Sequence, residues 1–257
     1  MTYSKKSPMI TATVSVLKGL RRAPKILAST LAQQCLLCAK PGSKAVLCNA
    51  CADDLPRLTS VAAGLCPRCA EPTPHSELCA ACQTSPPAFD AVSALFSYVY
   101  PVDRLVLALK YGGRLSLATW FGERLALLLS AQGRAEQIDC VAPLPLHALR
   151  LKERGFNQSA EISRTLASRL NKPLRLDLCV RTRHTTPQTG LTHDRRLANV
   201  RGAFAYAGEV DGLRVLLVDD VITTGASVHA CAQALLQGGA AGVSVALAAR
   251  SAQYSRL

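Results

Sequence analysis

From residue 91 onward the hydrophobic positions fall into repeating strand and helix patterns, and before it they do not. Over residues 91–100 apolar side chains alternate, the period of a strand, and residues 102–110 continue at helical spacing into the Tyr111-Gly112-Gly113 turn. A further helix then leads to residues 138–142, a short apolar run that reads as a strand and ends in Pro143-Leu144-Pro145-Leu146-His147. Residues 159–170 return to helical spacing. The stretch 213–218 is a strand, 226–237 a helix and 243–249 a last strand. Strands alternating with helices in this way predict a parallel α/β sheet with helices on its faces. Residues 174–206 keep no clean period and carry many cations, the character of a flap over a site.

Cysteine organises the part without periodicity. Of the 11 cysteines, most fall in Cys-x-x-Cys pairs: Cys35 with Cys38, Cys48 with Cys51, Cys66 with Cys69, and Cys79 with Cys82. The spacing between pairs repeats, so the segment is an internal duplication. Two knuckles of two thiolates each suit a tetrahedral, structural zinc, and two zinc ions are expected. The repeat favours Cys35, Cys38, Cys48 and Cys51 on one ion and Cys66, Cys69, Cys79 and Cys82 on the other; a crossed arrangement uses the same ligands. His75 lies between the last two knuckles and reads as a loop residue. Disulfides would require an exporting signal and an oxidising compartment, neither of which the sequence displays. Cys140, Cys179 and Cys231 stand in apolar surroundings and read as small buried hydrophobes.

Three segments result. Residues 1–34 form a basic arm with Lys5, Lys6, Lys18, Arg21, Arg22 and Lys25 and no acid. Residues 35–85 form a double zinc-ribbon module, and Thr84-Ser85-Pro86-Pro87 is the joint to an α/β domain over residues 86–257. The apolar stretch in the arm is diluted by Ser and Thr and followed by more cations, so it does not read as an export signal. A disordered tail and a short amphipathic helix both fit its composition. No run is long enough for an integral membrane segment, and a cytoplasmic location is expected.

The α/β part carries one stretch with definite chemistry. Val215-Leu216-Leu217-Val218-Asp219-Asp220-Val221-Ile222-Thr223-Thr224-Gly225-Ala226-Ser227 is an apolar strand closing on two carboxylates, followed by small residues that open a helix. Parallel sheets bind ligands at the carboxyl ends of their strands, where Asp219 and Asp220 fall. Thr223, Thr224, Gly225, Ala226 and Ser227 add hydroxyls, unpaired backbone N–H groups and the positive end of a helix dipole, an anion cradle. Formal net charge is +13. Cations concentrate between residues 150 and 201, which calls for an anion nearby and leaves a surface able to attract nucleic acid.

The Asp-Asp stretch resembles the 5-phosphoribosyl 1-pyrophosphate (PRPP) motif of type I phosphoribosyltransferases. By that resemblance Asp219 and Asp220 hold the ribose 2- and 3-hydroxyls, and residues 223–227 wrap the 5-phosphate. Leu109-Lys110-Tyr111-Gly112-Gly113, Arg154-Gly155-Phe156-Asn157-Gln158 and the later set Arg183, Thr186, Gln188, Leu191, Arg195, Arg196, Asn199, Val200, Arg201, Gly202, Ala203 and Phe204 narrow the likeness to the ComF family. Its members join a cysteine zinc module to a phosphoribosyltransferase domain. The resemblance implies a part in natural competence, with single-stranded DNA and a helicase or a recombination-loading protein as partners.

If the domain is catalytic, an acceptor displaces pyrophosphate from the anomeric carbon through an oxocarbenium-like state. Mg²⁺ is expected with PRPP, bridging pyrophosphate and ribose hydroxyls. His147 and Arg150 occupy the family's pyrophosphate loop, Arg154 stands beside them, and Arg181, Arg183 or Arg195 suit a cationic lid. Thr223 stands where enzymes for 6-oxopurines carry an acidic base, which disfavours those acceptors. Two further readings stay open. One is a non-catalytic protein that binds single strands or a partner and retains the PRPP site, although one Trp, 5 Phe and 6 Tyr are few for a stacking surface. The other is a zinc-dependent redox or assembly scaffold.

Overall fold

The computed structural model describes residues 34–41, 45–58, 64–183, 200 and 202–251. The chain forms two compact units, Met1–Cys48 and Asn49–Leu257. In the first, the Cys35 knuckle closes on itself: Ala39 N–H donates to Cys35 O at 2.8 Å, and Ala39 takes a left-handed φ of 57° to do so. Leu47 supplies its buried apolar anchor.

The second unit opens with the short helix α1 (Asn49–Asp53) and a second knuckle region that ends in α2 (Ala80–Thr84). The α/β part follows: β1 (Ala91–Ser97), α3 (Val102–Gly112), α4 (Ser116–Ala131), β2 (Cys140–Pro143), α5 (Ala148–Arg154), α6 (Gln158–Leu170), β3 (Cys179–Arg181), β4 (Phe204–Tyr206), β5 (Arg214–Ile222), α7 (Ala226–Gln237) and β6 (Gly242–Arg250). Four strands make one sheet in the order β1-β6-β5-β2, every neighbouring pair parallel. All four carboxyl ends therefore share one edge. β3 and β4 form a separate antiparallel ribbon.

Both faces of the sheet are covered, so β5 and β6 read as continuous apolar runs and not as alternating ones. Leu216, Leu217, Val218, Val243, Ala246 and Leu247 are almost wholly buried. One face receives α4 and α6, through Leu117, Phe121, Leu125, Ile162 and Leu166. α7 packs on the other through Val228, Cys231, Ala232 and Leu235, and it also meets the β3–β4 ribbon. There the buried Cys231 thiol lies 3.3 Å from Cys179 Sγ.

Gly122 allows the crossing of α4 on α6. A Cβ at that position would stand 2.8 Å from Ile162 O and 2.8 Å from Thr165 Cβ. Gly122→Ala is therefore expected to lower unfolding free energy by about 1–3 kcal/mol, the usual cost of overpacking. Denaturant titration checks this; unchanged stability would mean that the two helices separate freely.

The periodicity located the main elements to within a few residues; it missed the short helix α5, and two further differences stand out. β5 runs past the carboxylates to Ile222, because Asp219 and Val221 still pair in register with Leu247 and Ala249 of β6. The cation-rich stretch after residue 174 contributes the β3–β4 pair, while residues 184–199 and 201 lie outside the described residues.

Candidate functional site

The register fixes what meets at the carboxyl edge. Pro143 pairs with Val218 and Ile222 with Arg250, so the turn after β2 and the Asp219-Asp220 pair sit side by side. Both carboxylates are buried, at 9% and 3% exposure. Buried acids require partners. Asp219 Oδ1 accepts from Ser159 Oγ at 2.9 Å and from the Asp220 N–H at 2.9 Å. Asp220 Oδ2 faces Lys110 Nζ at 2.9 Å and has no aligned hydrogen bond, so a point charge balances it. Burial, then the negative charge of Asp220, pushes the Asp219 carboxyl up to about 7. Lys110 is raised: its burial acts downward, and the Asp220 charge outweighs it.

The segment Arg154 to Ser159 braces this pair. Gly155 ends α5 at φ 82°, and Asn157 caps α6, its Oδ1 accepting from Ser159 N and Ala160 N. Asn157 Nδ2 donates to Leu144 O at 3.0 Å, tying down the turn after β2. Arg154 donates to Gln158 Oε1 and lies over the Tyr111 ring at 5.2 Å. His147 caps α5 through Nδ1, which accepts from Leu149 N at 3.3 Å. Arg150 follows within the first turn of that helix.

After β5 the chain turns through Thr223 and Thr224 into Gly225, whose φ of 80° is left-handed and favours glycine. A Cβ there would meet only Ile222 Cγ2, at 3.9 Å. The need for glycine here is thus conformational. Thr224 Oγ1 accepts from Ala226 N, and Ala226 and Ser227 start α7. The first-turn N–H groups of α7 open at the same sheet edge as Asp219 and Asp220.

Among the expected cations of the lid, Arg181 feels the charge of Asp219. It ends β3, and burial, then the charge of Arg150, lowers its pKa while Asp219 acts in the opposite direction. Arg183 follows two residues on, and Arg195 lies outside the described residues. The hydrophobic pattern gave no roles to Lys110, Ser159 or Asn157. Lys110 had a signal, a lysine closing a helix just before Gly112-Gly113; Ser159 had none, because its contact is 60 residues away in sequence.

The cysteines gather sequentially, not crossed. Cys35, Cys38, Cys48 and Cys51 form one set and Cys66, Cys69, Cys79 and Cys82 another, with the sulfurs of each set within 4.8 Å of one another. Four thiolates about 2.3 Å from one zinc ion stand roughly 3.8 Å apart; Cys38 and Cys48 are at 3.8 Å, Cys69 and Cys79 at 3.6 Å. Burial drives Cys69 up to about 11, so the four thiols cannot all ionise without a cation among them. The residues fit the metal. No described helix is long and apolar enough to cross a membrane.

The double zinc ribbon domain family matches residues 26–83 and the phosphoribosyl transferase domain family residues 156–256. The DNA utilization protein YhgH of Salmonella typhimurium is 35% identical over 151 residues, 58% of this chain and 66% of that protein. Competence protein F of Haemophilus influenzae is 30% identical over 148 residues, 55% of this chain and 65% of that one. The chain thus spans just under two thirds of the length of these relatives. Competence protein ComFC of Bacillus subtilis is 31% identical over 102 residues, 39% and 40% of the two chains. Solved structures similar to it include a glutamine phosphoribosylpyrophosphate amidotransferase of B. subtilis, at TM-score 0.35, 23% identity and 51% and 25% coverage. A hypoxanthine-guanine phosphoribosyl transferase of L. donovani has TM-score 0.34, 13% identity and 52% and 71% coverage.

Proposed function

We propose, for a chain that belongs to the ComF-type competence and DNA utilization proteins and joins a double zinc ribbon to a phosphoribosyl transferase domain, that the carboxyl edge of its sheet binds PRPP with Mg²⁺ in the course of DNA uptake. The observation that carries this reading is the buried Asp219-Asp220 pair beside the Gly225 helix start. Two adjacent buried acids raise one another's cost, and a ligand with two hydroxyls and a phosphate satisfies acids and helix N-terminus together.

In this reading Asp219 and Asp220 accept hydrogen bonds from the ribose hydroxyls, and the N–H and hydroxyl groups of Thr223, Thr224, Gly225, Ala226 and Ser227 hold the 5-phosphate. His147 and Arg150 meet the pyrophosphate. Bound Mg²⁺ supplies charge neutralisation of the pyrophosphate and is held chiefly by the ligand's own oxygens. Arg181, Arg183 and Arg195 are the cations that close over the leaving group. In a transferase reaction the bond from the anomeric carbon to pyrophosphate oxygen breaks with both electrons going to pyrophosphate, and the acceptor's lone pair forms the new bond. Pyrophosphate leaves as the bond to the acceptor completes.

Isothermal calorimetry of the zinc-loaded chain with PRPP and Mg²⁺ tests the assignment, and no heat of binding would sink it. The pH dependence adds a sign. An acid that accepts from ribose hydroxyls must be ionised, and Asp219 titrates near 7. Affinity is expected to level off above pH 7 and to fall by up to about tenfold per unit below it, a step that Asp219→Asn removes. A profile identical in chain and variant would assign the titration elsewhere.

One observation favours the non-catalytic alternative. Tyr100 and Tyr111 are 77% and 73% exposed, and Arg154 covers the Tyr111 ring, so the few aromatics include a stacking surface beside the site. PRPP binding without turnover, together with salt-sensitive binding of a single-stranded oligonucleotide, would favour it.

A further inference from the structure

Arg250 is the last residue of β6 and is 4% exposed. A buried guanidinium must place its donors on acceptors, and these acceptors come from two separate regions. Nε donates to Cys69 O at 3.1 Å, and Nη2 to Glu71 Oε2 at 2.6 Å, where Glu71 is itself 5% exposed. Nη1 donates to Thr223 O at 2.7 Å, to Ile222 O at 3.3 Å and to Ser251 O. One planar group therefore joins the backbone of a zinc-ligand cysteine to the first residue of the phosphate cradle.

Both ends of this strut are shaped by what they hold. Cys69 closes the Cys66 knuckle: Cys66 N–H donates to Glu71 O at 2.7 Å and Ala70 N–H to Cys66 O at 2.9 Å, with Ala70 at a left-handed φ of 56°. That conformation turns the Cys69 carbonyl and the Glu71 side chain toward Arg250. At the other end, a carbonyl and the N–H of the same trans peptide point in opposite directions. Holding Thr223 O on the guanidinium sends the Thr224 N–H to the far side of that peptide, away from Arg250. The strut thus sets the direction of a donor in the cradle.

We infer that Arg250 is a positioning residue through which the zinc held by Cys66, Cys69, Cys79 and Cys82 tightens the phosphate cradle, so that metal in the knuckle and phosphoribosyl ligand in the cradle favour each other. This rests on the PRPP reading above. Coupling between two sites is reciprocal: the factor by which zinc tightens the ligand is the factor by which the ligand tightens zinc. Arg250→Lys keeps a cation for Glu71 but lacks the fork that spans both ends.

The test uses the full chain loaded with both zinc ions. PRPP affinity with Mg²⁺ is measured by calorimetry, and zinc loss to a chromogenic chelator is measured at equilibrium with and without PRPP and Mg²⁺. In the wild-type chain the ligand should tighten one zinc per chain against the chelator at equilibrium by roughly tenfold, within the usual range of such couplings, and leave the other unchanged. In Arg250→Lys that protection should vanish and affinity fall by a similar factor while zinc content stays at two. Glu71→Gln, which weakens the strut from the knuckle side, should move both readouts in the same direction and carries the test if Arg250→Lys does not fold. A folded variant with wild-type affinity and wild-type protection overturns the inference. So does wild-type binding of PRPP with no protection of zinc, which leaves the PRPP reading standing. Failure of the wild-type chain to bind PRPP overturns that reading and this inference with it.

Discussion

The double substitution Asp219→Asn/Asp220→Asn is expected to abolish measurable PRPP binding, a loss of at least about a hundredfold, while the chain stays folded. The two carboxylates offer acceptors that amides replace with a mixed set of donors and acceptors. A buried polar partner of the wrong sign costs more than a missing one. The stability change separates this from simple damage. Asp219 has its folded pKa raised from the ordinary 3.8 to about 7. Above pH 7 the native chain carries the whole cost of that buried charge. Between pH 7 and 4 the native acid takes up its proton while the unfolded one stays ionised, so the cost fades, and below about 4 it is gone. Asp219→Asn alone should therefore be more stable than the parent at pH 8, with the gain shrinking as pH falls toward 4. A double variant that still binds PRPP, or an Asp219→Asn chain less stable than the parent at every pH, contradicts the assigned site. A site that trades stability for ligand binding is what this pair would then be.

Cys69→Ser is the second large effect. The knuckle region contains little to pack, with Cys66, Ala70 and Cys82 among its few buried apolar groups. Its fold rests on the metal, as in small zinc modules where binding energy is folding energy, of order 10 kcal/mol. One zinc of two should be lost, and residues 64–84 should become open to proteolysis. Elemental analysis and limited proteolysis check this together; retention of both ions removes Cys69 from the ligand set. Because Arg250 takes the Cys69 carbonyl, the loss should also reach the α/β part.

Most of the architecture was legible in the sequence for a simple reason. β5, β6 and α7 are apolar over most of their buried length, Asp219, Asp220 and Arg250 excepted, and that pattern survives any choice of neighbours. The cysteine repeat was equally plain, since spacing alone brings four thiols together. Contacts made across the chain were not legible. Ser159 reaches Asp219, Asn157 reaches Leu144 and Arg250 reaches Glu71 only after the sheet has formed. Strand ends were also blurred. Asp219 and Asp220 looked like terminators, yet register with β6 holds them inside the ladder. Arg181 was one of three candidates in the cation-rich stretch, and its place at the end of β3 was not legible.

The Lys110–Asp220 pair has an electrical consequence for the free chain. Lys110 acts as a tethered counter-ion, 21% exposed, against an acid side chain at 4%. Mobile ions in solution screen such a sheltered pair weakly, since the Debye length at physiological salt, about 8 Å, exceeds its separation. The pair therefore keeps most of its charge balance at physiological ionic strength. In the proposed complex with PRPP and Mg²⁺, the divalent ion would make this ammonium redundant as a neutraliser and leave its charge available to the pyrophosphate.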